Sequence, residues 1–132
     1  MSARDQRPPR VLVAEDEPAI ADALTELLEL EGYEVGLATR AAVAVERACV
    51  ERWDAILVDT FEGPPHRIGE SDRALLRGLS DCGPVIVVSG RSWVMKADAV
   101  ELGVVAIVPK PYDADVLLAA IRAAGATTSG AP

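Results

Sequence analysis

The sequence is poor in the residue types that most often build zinc sites and nucleophile–base pairs. His66 is the single histidine among 132 residues, so there is no basis for a zinc site with a histidine pair or for a Ser/His/Asp triad. The two cysteines, Cys49 and Cys82, show neither CxxC spacing nor a disulfide-framework pattern. We therefore predict unpaired thiols in a reducing cytoplasm and a surface position for His66.

Long apolar runs and clusters of basic residues are also missing. No apolar run approaches the roughly 18 residues that a membrane span needs, and residues 1–10 lack the apolar segment of a signal peptide. The formal net charge is −8, and no cluster of Lys or Arg offsets it, so a nucleic-acid backbone would be repelled. These absences predict a cytoplasmic globular protein that binds neither membranes nor nucleic acids directly.

The apolar pattern alternates strand-like and helix-like segments, which is typical of a parallel α/β sheet wound on both faces. We predict a (βα)5 domain over residues 10–124, with flexible tails at 1–9 and 125–132. The predicted strands are 11–14, 33–38, 55–58, 85–88 and 104–108. The predicted helices are about 18–31, 40–52, 70–80, 93–102 and a last one from Asp113. The apolar face predicted for the last helix is Val116, Leu117, Ala120, Ile121 and Ala124.

Polar residues with related chemistry follow four of the predicted strands. Glu15 and Asp16 follow the first strand, Asp59 the third, Ser89 the fourth and Lys110 the fifth. Because the carboxyl ends of parallel strands meet at one edge of the sheet, these groups are expected in one crevice. Three acids, a hydroxyl and an amine there predict a Mg²⁺ and phosphoryl site.

Four segments around these residues make the chain resemble the receiver domain of bacterial two-component response regulators, over about residues 10–124. They are VLVAEDEP, ILVD, VIVVSG and VPKPYD. The separations are also typical of the family: 43 residues from Asp16 to Asp59, 30 to Ser89 and 21 more to Lys110. The resemblance implies a flavodoxin-like receiver fold.

The resemblance also implies a metal site. Asp16 and Asp59 would bind Mg²⁺ directly, Glu15 mainly through water, and the backbone carbonyl of Phe61 would complete the protein ligands. A hard cation with oxygen ligands is needed here because an incoming phosphoryl group brings negative charge to a carboxylate.

Asp59 is, by the same resemblance, the nucleophile that forms an acyl phosphate. Lys110 would pair with a phosphoryl oxygen, while the hydroxyl of Ser89 and the amide of Gly90 donate to others. The phosphoryl donor would be a sensor histidine kinase or a histidine phosphotransfer protein. The expected output is binding to an unknown downstream protein by a single-domain response regulator that is not a free-standing enzyme.

The segment after Asp59 departs from the family pattern. Gly63 stands where a proline is usual, His66-Arg67 replaces an Asp-Gly, and Ile107 replaces the aromatic switch residue. The resemblance further implies that Phe61 and Arg91 flank the path of hydrolytic water and slow dephosphorylation.

Other interpretations of the same residues remain open. The acids Glu15, Asp16 and Glu17 could simply cap the first helix, since acids favour a helix N-terminus. Asp59 could be an ordinary strand-end turn residue, and Ser89-Gly90 an ordinary turn. A pseudo-receiver would keep the fold without accepting phosphate. A haloacid-dehalogenase-type phosphatase needs a second Asp two residues after the nucleophile, where this chain has Phe61.

Overall fold

Five parallel strands form one sheet in the order β2-β1-β3-β4-β5. The structure, a computed structural model, describes the backbone of residues 7–129 and the side chains of residues 7–125. The strands are β1 (Arg10–Ala14), β2 (Glu34–Ala38), β3 (Ala55–Val58), β4 (Val85–Ser89) and β5 (Ala106–Pro109). This order places a topological switch point between β1 and β3, which is where ligands bind in open α/β sheets.

A helical segment follows each strand, as the doubly wound fold predicts. The helices are α1 (Pro18–Leu30), α2 (Ala41–Val50), α3 (Glu70–Ser80), α4 (Ala99–Leu102) and α5 (Ala114–Ser129). A 3₁₀ helix, Ser92–Lys96, precedes α4. None of the helices in the described part of the chain has the length and apolar character needed to cross a bilayer.

Alternate residues of the central strands pack on opposite faces of the sheet, because successive strand side chains point in opposite directions. Leu12 of β1 and Ile56 of β3 belong to the core that faces α2, α3 and α4. Val13 and Leu57 belong to the core that faces α1 and α5. All four side chains are at most 1% exposed. The strands are therefore held from both sides, and this fixes the positions at which their carboxyl ends leave the sheet.

The last two helices differ from their predicted bounds. The segment predicted as one helix over 93–102 is the 3₁₀ helix followed by the short α4, which Asp98 caps by accepting from the Val100 amide at 3.2 Å. Gly103 ends α4 in the left-handed conformation, with φ 74°. Helix α5 continues to Ser129 instead of ending near residue 124. Of the predicted tails, residues 1–6 and 130–132 lie outside the described residues.

One residue of the predicted α5 face is also wrong. Val116 is 52% exposed, and Leu118, which was not predicted to face the core, is buried at 5% exposure. Leu117, Ile121 and Ala124 are buried as predicted. The sheet therefore meets the helix on a face centred nearer Leu118, because each residue turns the helix by about 100°.

The prediction of unpaired thiols is wrong. Cys49, on α2, and Cys82, in the turn after α3, form a disulfide across a Cα–Cα distance of 5.0 Å. Helices α2 and α3 are neighbours on the same face of the sheet, and this brings together two cysteines that are 33 residues apart in sequence. Spacing in sequence gave no signal for this contact.

Candidate functional site

The predicted site residues line one pocket of about 630 Å³ at the carboxyl ends of β1, β3, β4 and β5. The predicted residues in its wall are Glu15, Asp16, Asp59, Phe61, Ser89, Gly90 and Lys110. Arg91, Ser92 and Pro65 also line it. The pocket lies at the switch point of the sheet, so the fold places the predicted groups where an α/β protein binds ligands.

Asp59 and Lys110 form the central ion pair of this pocket. The backbone amide of Asp59 donates to the carbonyl of Ala14 at 2.9 Å, which holds the residue against β1. The carboxylate is 12% exposed, and its Oδ2 accepts from the Nζ of Lys110. Burial lowers the pKa of Lys110, but its hydrogen bond to Asp59 and the nearby negative charges outweigh that effect and raise the pKa. Lys110 therefore stays a cation beside the carboxylate.

Glu15 is buried beside Asp59 and lacks a full set of partners. Its Oε2 accepts from the Glu17 amide at 3.1 Å, whereas Oε1 is buried and no N–H or O–H group among the described residues donates to it. Burial, together with a side-chain hydrogen bond to Asp59, raises the pKa of Glu15 to about 8. A proton on Glu15 or a bound cation would therefore reduce the repulsion between the carboxyl groups of Glu15 and Asp59.

Ser89 ends β4 and is 2% exposed. Its hydroxyl oxygen accepts from the Arg91 amide at 3.1 Å, and its carbonyl accepts from the Lys110 amide at 2.9 Å. The second of these bonds joins the ends of β4 and β5, so it fixes Ser89 and Lys110 relative to each other. At Gly90 a Cβ atom would meet that of Lys110 at 3.7 Å, an ordinary contact, so sterics alone do not demand glycine there.

Asp72 and Arg91 hold the loop after β3 from two sides. Asp72, on α3 and 2% exposed, accepts from the amides of Glu62 and Gly63 at 3.0 and 2.9 Å. Arg91 donates to the carbonyl of Gly63 at 2.6 Å and to that of Phe61. A Cβ atom at Gly63 would approach the Oδ2 of Asp72 to 2.8 Å, so a larger residue would have to displace this carboxylate. The residue that replaces the family's proline is thus explained by close packing against a buried carboxylate.

The aromatic ring of Phe61 is buried against Trp93, with ring centroids 5.2 Å apart and planes at 89°. Trp93 is 5% exposed, and its amide donates to the carbonyl of Pro65 at 3.1 Å. The ring and the loop are therefore anchored to the 3₁₀ helix, while the carbonyl of Phe61 lies in the pocket under Arg91. His66 is exposed, as predicted, and Ile107 is half-buried against the core.

The oxygen donors of the pocket suit Mg²⁺, although they are not arranged as a ready-made cage. Across residues 7–129, no three His, Cys, Asp or Glu side chains form a group that could hold a metal ion. The predicted arrangement needs only Asp16 and Asp59 as direct carboxylate ligands, with water and a carbonyl completing the set. The buried Oε1 of Glu15, to which no N–H or O–H group of the described residues donates, fits an acceptor for a metal-bound water.

Two contacts that the sequence did not predict shape this site. The contact between Arg91 and the Phe61 carbonyl spans 30 residues, and the contact of Asp72 with Glu62 spans 10. Both depend on how the loop folds back over the sheet edge. The only sequence signal was the departure from the family pattern between Gly63 and Arg67.

The sheet order and the pocket of acids and a lysine at its switch point define a flavodoxin-like α/β domain of the receiver class. The chain belongs to the family of response regulator receiver domains, because the model of that family matches residues 11–122.

Curated relatives agree with the family. The transcriptional regulatory protein DltR of Streptococcus agalactiae is 35% identical over 117 residues, which cover 86% of this chain and 50% of DltR. The response regulator MprA of Mycobacterium tuberculosis is 32% identical over 115 residues, which cover 86% of this chain and 49% of MprA. The chain thus spans about half the length of the curated relatives it matches.

Solved structures share the fold. A CheY-like receiver domain protein from Methanospirillum hungatei superposes with a TM-score of 0.75 at 24% identity, over 94% of this chain and 98% of that one. The response regulator TrrA from Thermotoga maritima, in complex with Mg²⁺-BeF, gives a TM-score of 0.71 at 24% identity, over 88% and 98%. The predicted five-stranded parallel fold is therefore confirmed.

Proposed function

We propose that Asp59 accepts a phosphoryl group from a phosphohistidine donor, with Mg²⁺ as cofactor. The observation that carries this proposal is the carboxylate of Asp59 at the switch point, paired with Lys110 and surrounded by Glu15, Asp16 and Ser89. A carboxylate that is mostly buried and yet lines an open pocket is suited to act as a nucleophile toward a group that enters from solvent.

The residues divide the chemistry as follows. A carboxylate oxygen of Asp59 attacks phosphorus, the O–P bond forms, and the P–N bond of the donor breaks with its electron pair left on the imidazole nitrogen. Lys110, which already donates a hydrogen bond to Asp59, pairs with an oxygen of the incoming phosphoryl group and offsets its negative charge. The Ser89 hydroxyl and the Gly90 amide, which line the same pocket, donate to the other oxygens.

Asp16, Asp59 and the Phe61 carbonyl would hold Mg²⁺ directly, and Glu15 would bind it through water. When bound, the cation neutralises the negative charge shared by the acids and the incoming phosphoryl group. Burial first, and then the neighbouring carboxylate of Asp59, raise the pKa of Glu15, so a cation bound beside these two acids would favour the ionised form of Glu15. TrrA, which shares the fold, was crystallised with Mg²⁺-BeF.

The proposed partners are a histidine kinase or phosphotransfer protein and a downstream protein. We propose a cytoplasmic location and no free-standing enzyme activity for this domain. The disulfide removes the cysteine argument for a reducing compartment. The charge argument against nucleic-acid binding extends only to this chain, because a relative twice its length is named a transcriptional regulatory protein.

The deciding experiment is labelling with acetyl phosphate, with and without Mg²⁺, read by intact-protein mass spectrometry. We expect the wild type to gain the mass of one phosphoryl group only with Mg²⁺, and Asp59→Asn to gain none, because the amide keeps the shape but is a poor nucleophile. Asp22→Asn, at an exposed position of α1, is the control and should label normally.

A pseudo-receiver is the second candidate, and the contact of Arg91 with the proposed metal-ligand carbonyl favours it. Labelling separates the two functions. If the folded wild type gains no mass at any Mg²⁺ concentration, the phosphoacceptor assignment is wrong and the pocket belongs to a binding module.

A further inference from the structure

The pocket contains a second cation, and this cation contacts backbone oxygens instead of a carboxylate. The guanidinium of Arg91 donates from Nη1 to the Gly63 carbonyl at 2.6 Å and from Nη2 to the Phe61 carbonyl. Within the described residues it forms no ion pair, although four acids line the same pocket. The positive charge of Arg91 therefore interacts with backbone carbonyls of the loop after β3.

The carbonyl oxygen of Phe61 is a contact for two different cations, Mg²⁺ and the guanidinium of Arg91. In the proposed function it is the one backbone ligand of Mg²⁺, whereas in this structure it accepts from Arg91. A guanidinium and a divalent cation on the same oxygen would lie within a few ångströms of each other, and like charges at that separation repel strongly. The two states therefore exclude each other.

We infer that Arg91 is a built-in competitor of Mg²⁺ at the Phe61 carbonyl. Its guanidinium holds the loop through the carbonyls of Phe61 and Gly63, and metal binding requires this side chain to withdraw from the Phe61 carbonyl. This inference rests on the proposed function, since it takes the Phe61 carbonyl as a metal ligand.

The structure also indicates which part moves. The carboxylate of Asp72 is 2% exposed and accepts from the amides of Glu62 and Gly63, so moving the backbone would leave buried polar groups unpaired. Arg91 is only half-buried and lines an open pocket, so its charged end can turn into water. The exchange is therefore a swing of the arginine side chain over a loop that Asp72 keeps in place.

The exchange should weaken metal binding measurably. Hydrogen bonds from an ionised donor are stronger than neutral ones, and two of them must be given up for each Mg²⁺ bound. Removing the competitor should lower the Kd for Mg²⁺ about tenfold, which corresponds to ~1.4 kcal/mol.

The test is isothermal titration of metal-free protein with MgCl₂, which measures binding without any labelling reaction. The variants are Arg91→Gln and Arg91→Lys. The first removes the charge, and the second keeps the charge but lacks the planar guanidinium that donates to two carbonyls at once. Arg67→Gln is the matched control, an exposed arginine on the same loop that is not a donor to these two carbonyls. We expect about tenfold tighter binding for Arg91→Gln, an intermediate gain for Arg91→Lys and no change for Arg67→Gln.

Any other result contradicts either the competition by Arg91 or the proposed metal site, as follows. Wild-type affinity in Arg91→Lys, with a gain in Arg91→Gln, means that charge repulsion alone weakens Mg²⁺ and that the carbonyl contact is irrelevant. Unchanged or weaker binding in Arg91→Gln means that Arg91 does not compete. If Asp16→Asn still abolishes Mg²⁺ binding in that case, the proposed metal site stands. If neither the wild type nor Arg91→Gln binds Mg²⁺, the proposed metal site fails together with the inference.

Discussion

Lys110 and Arg91 reach the same pocket from different kinds of structure. Lys110 follows β5 and pairs with the carboxylate of Asp59, which follows β3. Arg91 lies two residues beyond β4 and donates to carbonyls of a loop that the buried Asp72 supports. One half of the pocket, the sheet half, is positioned by the ends of parallel strands and follows the family pattern. The other half, the loop half, is positioned by the loop after β3, where this chain departs from that pattern. Substitutions can separate the two halves.

Replacing Lys110 tests the sheet half and has the largest expected effect. Lys110→Ala removes the cation that pairs with Asp59 and that, in the proposed function, donates to a phosphoryl oxygen; loss of one such donor costs about 100-fold in rate. We expect the initial rate of labelling by acetyl phosphate to fall by that order at saturating Mg²⁺.

The other lysine of the chain provides the control. Lys96, at the end of the 3₁₀ helix, is exposed, and Lys96→Ala should label at the wild-type rate. Equal rates for Lys110→Ala and wild type would show that the ion pair with Asp59 is structural only.

Replacing Asp72 tests the loop half, and the expected effect is on stability. Asp72→Ala removes the buried acceptor of the Glu62 and Gly63 amides, and leaving such donors without a partner costs about 1–3 kcal/mol. The urea midpoint should fall in proportion, with an unchanged m-value. Asp72→Asn keeps one acceptor oxygen and should lose less.

Asp81, the residue directly after α3, is exposed and serves as the control for Asp72. Asp81→Ala should shift the urea midpoint by no more than an ordinary surface change. If the two alanine variants are equally stable, the amides of the loop are satisfied by water and Asp72 does not support it.

The smallest expected effect concerns loss of the phosphoryl group. Arg91 lies over the loop beside Asp59, so Arg91→Ala should open a path for water and speed dephosphorylation roughly threefold to tenfold. The measurement follows phosphate release at saturating Mg²⁺, which removes any difference in metal affinity. Phe61 is a poorer test position, because its ring packs on Trp93 and a change there disturbs the core. Identical half-lives for Arg91→Ala and wild type would show that Arg91 does not control water.

The sheet half of the site was predictable from local pattern alone. Residues such as Asp59 directly follow buried apolar strands, and a parallel sheet brings all such positions to one edge. Gly32 was likewise predictable as the end of α1, and its φ of 92° requires the freedom of glycine.

The loop half was not predictable, because its contacts connect residues that only the folded chain brings together. Arg91 contacts Gly63 across 28 residues, and nothing in the local sequence marks either as a partner of the other. The split of the fourth helix was missed for a different reason. Asp98 and Gly103 are ordinary start and stop signals, yet the predicted helix over 93–102 began before Asp98, in a segment whose helical period is weak.

The disulfide between Cys49 and Cys82 makes residues 49–82 a covalent ring that encloses Asp59, the loop after it and α3. A protease that cuts once in this loop would leave a single covalent molecule under non-reducing conditions, with Asp59 still tethered to Lys110. Reduction would then release two fragments, with Asp59 on the first and both Arg91 and Lys110 on the second. The redox state of one bridge therefore decides whether a nicked domain stays in one piece, and electrophoresis with and without reductant would show it.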